Sequence, residues 1–153
     1  MIIFEVDHNK RNYMELLLLA DEQENMIEKY LDHGTMYVLD EDGVKAVCVV
    51  TDEGNGVLEI KNLATAPLFQ RKGYGKALIG FLETTYKGKY TILQVGTGDS
   101  PMTIPFYEKC GFEKSHRVQN FFTENYDHPI IDGGVLLVDM IYLRKSLIHS
   151  CPA

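Results

Sequence analysis

The chain has 153 residues, of which 45% are hydrophobic and 24% charged, the length and composition of one globular domain with a core of its own. A formal net charge of −7 argues against a nucleic-acid partner, because phosphate binding needs an excess of Lys and Arg on one face. The aliphatic run at residues 16–20 is far shorter than the roughly 20 residues of a membrane span, and the opening stretch Met1 to Asp7 has no basic residue, so no signal peptide is expected.

A single domain over residues 1–153 is therefore expected, cytoplasmic and without a membrane partner. Cys48, Cys110 and Cys151 cannot all pair within one chain, and none has CxxC spacing. The histidines His8, His33, His116, His128 and His149 are scattered. Reduced thiols and no metal site are the expectation. Homodimers are the commonest soluble oligomers, so a homodimer is the expected assembly.

Residues 2–6 are apolar and β-prone and read as a first strand. Residues 10–31 turn helical, with Leu16, Leu17, Leu19 and Ala20 as a core face. The stretch Asp21-Glu22-Gln23-Glu24 separates two helices, the second ending near Gly34. Residues 36–39 and 44–50 read as strands joined by Asp40-Glu41-Asp42-Gly43, and Glu53-Gly54-Asn55-Gly56 turns the chain into a strand over residues 57–65.

A helix follows, in which Tyr74, Ala77, Leu78, Phe81, Leu82 and Thr85 keep the spacing of one buried face. With a strand at residues 90–95 it makes a βαβ unit with parallel strands. Ser100-Pro101 reads as an N-cap with Pro at the first helical position. Cys110-Gly111-Phe112 reads as that helix's end, with Pro105 disturbing its second turn. Strands over residues 113–122 and 135–143 close the domain, around a loop carrying Tyr126, Asp127, His128 and Pro129. The order is β-α-α-β-β-β-α-β-α-β-β, an α/β fold with a mixed sheet.

The stretch from Gln70 to Lys76 lies between an apolar strand and an amphipathic helix. Glycines there let backbone N–H groups approach a phosphate, and Arg71, Lys72 and Lys76 add charge. Neither of two common phosphate motifs fits. Leu78 stands where a dinucleotide fingerprint needs glycine, and Ala77 where a Walker A loop needs Ser or Thr.

Gln70-Arg71-Lys72-Gly73-Tyr74-Gly75 resembles the acyl-CoA pyrophosphate loop of the GNAT superfamily, Gln/Arg-x-x-Gly-x-Gly/Ala. Leu63-Ala64-Thr65-Ala66-Pro67 is similar to the strand end before that loop. Phe106-Tyr107-Glu108-Lys109-Cys110-Gly111-Phe112 is similar to the family's helix-ending FYEK-x-GF signature. The resemblance spans essentially the whole chain, strongest over residues 58–112 and weak before Gly34.

What it implies is the GNAT acyl-CoA N-acyltransferase fold, with fourth and fifth strands that run parallel and then splay. It further implies acetyl transfer from acetyl-CoA to a primary amine, on a small molecule or a peptide, by direct attack in a ternary complex. Leu63 and Thr65 would bond the pantetheine arm, and Arg71, Lys72, Gly73, Tyr74, Gly75 and Lys76 the pyrophosphate. Tyr107 would be the general acid and Glu59 the general base. Lys61, two residues on, gives Glu59 a second reading as half of an ion pair, and both readings stand. Gln94 occupies a position where some relatives carry a catalytic Glu, and Ser100 one where many carry an Asn that contacts the CoA arm, a bond the Ser100 hydroxyl would still donate. Transfer of a succinyl group and a CoA-binding regulatory module are the alternatives.

Overall fold

The computed structural model describes residues 1–148; Cys151 and His149 lie outside them. The chain begins with β1 (Ile2–Val6) and a 3₁₀ turn at Lys10–Tyr13. Two short helices follow, α1 (Met14–Ala20) and α2 (Glu24–Leu31). Lys10 Nζ donates to the carbonyls of Leu31 at 2.8 Å and Gly34 at 2.6 Å. It thereby satisfies orphan acceptors at the end of α2, where a cation also suits the helix dipole.

Strands β2 (Thr35–Asp40), β3 (Val44–Asp52) and β4 (Val57–Thr65) form the expected antiparallel meander on β1. Asp42 and Gly43, with φ of 54° and 109°, make the first of its turns. β3 is buried at seven of its nine positions, a pattern that fits a strand covered on both faces. Leu17, Ile27 and Leu31 cover one face of the sheet, against Val38, Val47 and Val49.

The other face is covered by α3 (Tyr74–Tyr86), through Leu78, Ile79 and Leu82, and by Tyr107 and Phe112. Each such fully buried aliphatic side chain contributes on the order of 1.5–3 kcal/mol relative to exposure.

Beyond α3 run β5 (Ile92–Gly98), α4 (Ile104–Lys109), β6 (Glu113–Val118), α5 (Phe121–Asn125), β7 (Ile131–Asp132), β8 (Val135–Leu136) and β9 (Met140–Ser146). The seven-stranded sheet has the order β1-β2-β3-β4-β5-β9-β6, with β4 and β5 its one parallel pair, and β7–β8 is a separate hairpin. The mixed α/β architecture is the expected one.

Four local expectations need correction. Leu19 is 49% exposed and Ala20 is exposed as well, because α1 is only two turns long and turns Leu17 alone fully into the core. Helix α4 begins at Ile104, with Thr103 as its N-cap. Ser100 instead heads the preceding turn, its Oγ accepting the Met102 amide at 3.0 Å. Pro105 therefore lies in the first turn, where its missing N–H has no intrahelical acceptor to lose.

The strand expected over residues 113–122 ends at Val118. Asn120 turns to φ 57° while Asp139 accepts its amide at 2.8 Å, and α5 follows. The strand expected over residues 135–143 is split into β8 and β9, because β8 folds back on β7 through Gly133 and Gly134.

Candidate active site

Across β3 and β4, Val49 faces Asn62 and Val50 faces Ile60, so Lys61 is an extra residue in β4. A bulge of this kind reverses the alternation of side chains. Leu58 and Ile60 pack toward α3, and beyond the bulge Leu63 does too, while Asn62 bonds to α1 and α2. At the same point β4 leaves β5. Their last parallel pair is Ile60 and Val95, and from Gly96 onward β5 pairs with β9 alone. The strands part around a cavity of about 270 Å³, whose lining includes Leu63, Thr65, Gly96, Thr97 and Tyr107.

Past Thr65 the chain enters the glycine loop. Arg71 has φ 64° and Gly73 φ 89°, and the Gly73 carbonyl accepts the first bond of α3 from Ala77 at 2.9 Å. The amides of Arg71, Lys72, Gly73, Tyr74, Gly75 and Lys76 have no backbone acceptor among the described residues. Arg71, Lys72 and Lys76 are exposed around them. A Cβ on Gly75 would stand 3.1 Å from Phe106 Cζ, and Thr65 Oγ1 lies 3.9 Å from the same point. Free amides, a helix dipole and three cations fit the pyrophosphate of a coenzyme A thioester.

Tyr107 sits on α4 with its ring edge-on to Phe106 and Phe112, at centroid distances of 5.0 and 5.6 Å. The last turn of α4 is locked by the Phe112 amide donating to the Tyr107 carbonyl at 3.0 Å, with Gly111 at φ 94°. Tyr107 is 8% exposed and reaches the cavity. Burial pushes its phenol above the ordinary value, so it keeps its proton at neutral pH.

The other expected residues are placed differently. Glu59 is 4% exposed, and Lys61 Nζ lies 2.8 Å from its Oε2. Gln94 Nε2 donates to Glu59 Oε1 at 2.6 Å, and Arg144 Nε donates to Gln94 Oε1 at 2.7 Å. Glu59 lines a second cavity, next to the first, together with Glu53 and Tyr142. The structure thus brings Leu63, Thr65 and Tyr107 into one cavity and leaves Glu59 beside it. Ser100 is 2% exposed and donates its hydroxyl proton to Asp132 Oδ2 at 2.8 Å; Asp132 lines the first cavity.

A further group was not singled out from the sequence. Asp21 stands where α1 ends and lines both cavities. Its carboxylate accepts the Tyr126 hydroxyl at 2.6 Å and the Tyr30 hydroxyl at 3.1 Å. Burial raises its pKa, against the opposing pull of those two bonds. Asn62 Nδ2 donates to Tyr30 Oη at 3.1 Å and to the Leu17 carbonyl at 2.9 Å. The signal in the sequence was Asn62, a polar side chain directly before the apolar pair Leu63-Ala64.

Comparison with known proteins points the same way. The acetyltransferase (GNAT) domain model matches residues 32–114. An N-acetyltransferase of Bacillus subtilis, YvbK, described as uncharacterized, is 33% identical over 136 residues, covering 87% of this chain and 88% of its own. A GNAT family acetyltransferase from Elizabethkingia anophelis, solved with acetyl-CoA bound, superposes with a TM-score of 0.89 at 32% identity, over 95% of this chain and 97% of that one. A structure described as an IAA acetyltransferase from Bacillus cereus gives 0.88 at 35% identity, over 95% and 98%. The chain belongs to the GNAT superfamily of acetyl-CoA-dependent N-acetyltransferases.

Proposed function

We propose that the protein, as one catalytic domain, transfers the acetyl group of acetyl-CoA to a primary amine, on a small molecule or a peptide, by direct attack in a ternary complex. One observation carries this reading. The cavity between the parted ends of β4 and β5 has Tyr107 in its wall, and β4 runs from it into the loop of free amides before α3. Leu63 and Thr65 would flank the pantetheine arm, and the amides from Arg71 to Lys76 would hold the pyrophosphate.

The neutral amine attacks the thioester carbonyl carbon. The C–N bond forms, the C–S bond breaks, and Tyr107 supplies the proton taken up by the departing thiolate. The amine's own proton leaves to water. Both Glu59 oxygens are engaged, Oε2 by Lys61 and Oε1 by Gln94, so the ion-pair reading of Glu59 is the one its contacts support.

Asp21, Glu22 and Asp132 line the first cavity, and their charge disfavours an acyl group with its own carboxylate, such as succinyl. A regulatory module without turnover would have no use for a protonated phenol in this wall. The free thiols Cys48 and Cys110 suit a cytoplasmic setting, and a homodimer is the assembly to test by light scattering.

The deciding experiment follows thiol release from acetyl-CoA across a panel of amines, with Tyr107→Phe alongside. The Phe variant keeps the ring contacts and should lose roughly 10²-fold in kcat with little change in acetyl-CoA binding. A fully active Phe variant would return Tyr107 to a packing role.

A further inference from the structure

Asp21 is a partly buried carboxylate whose side-chain partners are two phenols, with the Gln23 backbone N–H also acting on it. Lys29 acts on it only through space, from beyond ion-pair distance. Each of its oxygens accepts one tyrosine hydroxyl, and among the described residues no cationic side chain bonds either of them. The hydroxyl of Tyr30 ties it to Asn62, which is 3% exposed, lines the same cavity, and has an Oδ1 with no hydrogen-bond partner. A buried acceptor left unmatched is destabilising, and so is a desolvated carboxylate without a cation.

The charge of the cavity agrees. Its lining holds three carboxylates, Asp21, Glu22 and Asp132, against one ammonium, Lys61, which is engaged by Glu59 at 2.8 Å.

A protonated primary amine has three N–H donors and no acceptor, which suits a carboxylate that no cation bonds and an open amide oxygen beside it. Such an ammonium cannot be the nucleophile, because attack needs a free electron pair. We propose that Asp21, with Asn62 beside it, holds a second, protonated amino group of the acceptor, so that the preferred acceptors are small aliphatic diamines or polyamines. This inference rests on the acetyl-transfer reading above. Tyr126, bonded to Asp21 from the segment after α5, and Tyr30 from α2 act as positioning residues for the carboxylate.

The test compares butane-1,4-diamine, butylamine and 4-aminobutanoate as acceptors in thiol release. The diamine should exceed butylamine in kcat/KM by tenfold or more, and 4-aminobutanoate should be the poorest of the three. Asp21→Asn, which keeps the shape, should bring the diamine-to-butylamine ratio close to one, acting through the diamine's KM. Tyr126→Phe leaves the charge but frees the carboxylate, so it should lower the ratio by a smaller factor and serves if the Asn variant does not fold.

Equal use of diamine and monoamine by the unaltered protein, or a ratio that survives both substitutions, overturns the inference and leaves acetyl transfer standing. Failure to bind acetyl-CoA in calorimetry overturns the acetyl-transfer reading, and the inference falls with it.

Discussion

Replacing Glu59 with Gln separates the two roles a buried carboxylate on β4 can have. The substitution keeps the shape and removes one charge from a chain that runs from Lys61 through Glu59 and Gln94 to Arg144. Breaking a fully buried pair costs about 3–5 kcal/mol, and an exposed one no more than about 1. The Lys61 side chain is 28% exposed, and Glu53 remains 4.0 Å from its ammonium, so the charge left behind is not stranded. A loss of about 1–3 kcal/mol is expected, and at about 2–4 °C per kcal/mol the melting temperature should fall by roughly 2–12 °C. Turnover at neutral pH should stay within about threefold, since general-base catalysis is worth roughly 10²-fold or more and would vanish with the carboxylate. Melting curves and pH–rate profiles on the same two preparations read both quantities. A 10²-fold loss of kcat/KM, an acidic limb that moves or disappears, and an unchanged melting temperature would refute the ion-pair assignment and make Glu59 the base.

The remaining expectations concern the cradle and the acceptor wall. Gly73→Val or Gly75→Val should weaken acetyl-CoA binding tenfold or more, about 1.4 kcal/mol, as read by calorimetry. At Gly73 the backbone has φ 89°, which a β-branched residue strains. At Gly75 a Cβ meets Phe106 at 3.1 Å; unchanged affinity in a folded variant would remove the pyrophosphate assignment. Asp21 has its folded pKa raised by burial, so the folded state retains a proton that the unfolded chain has already released. Its contribution to stability therefore falls as pH rises from the unfolded value through the folded one, and the deficit persists at neutral pH. Asp21→Asn should accordingly melt higher than the unaltered protein at pH 7 without acceptor, with the advantage shrinking toward pH 3. A variant that melts lower at pH 7 would show that the tyrosine bonds outweigh the burial.

The parts of this protein that were legible in the sequence are those decided by neighbours along the chain. Helix α3 announced itself by the spacing of Leu78 and Leu82, and the end of α4 by Gly111, which adopts φ 94° as its position requires. The turns at Gly43 and at Gly54 to Gly56 follow from the same local chemistry. Less legible were features set by a partner far away. The bulge at Lys61 exists only in the register of β4 against β3. The end of β6 depends on Asp139, which bonds Arg117 and the Asn120 amide from 22 and 19 residues further along the chain. No periodicity within residues 113–122 carries that information.

The same distinction divides the candidate site itself. A pyrophosphate is read largely by backbone amides, and a run of amides is contiguous by construction, so Gln70 to Gly75 could be recognised as one word. The proposed acceptor wall is built from side chains of segments that have no sequence relation. Asp21 meets Tyr126 across 105 residues, and Asn62 meets the Leu17 carbonyl across 45. Such a wall can change its specificity by single substitutions at positions that no motif spans, while the cradle keeps its loop. That is the physical reason the cosubstrate was legible here and the acceptor was not. It is also why Asp21, Asn62 and Tyr126, rather than the glycine loop, are the residues whose substitution should redirect the enzyme from one amine to another.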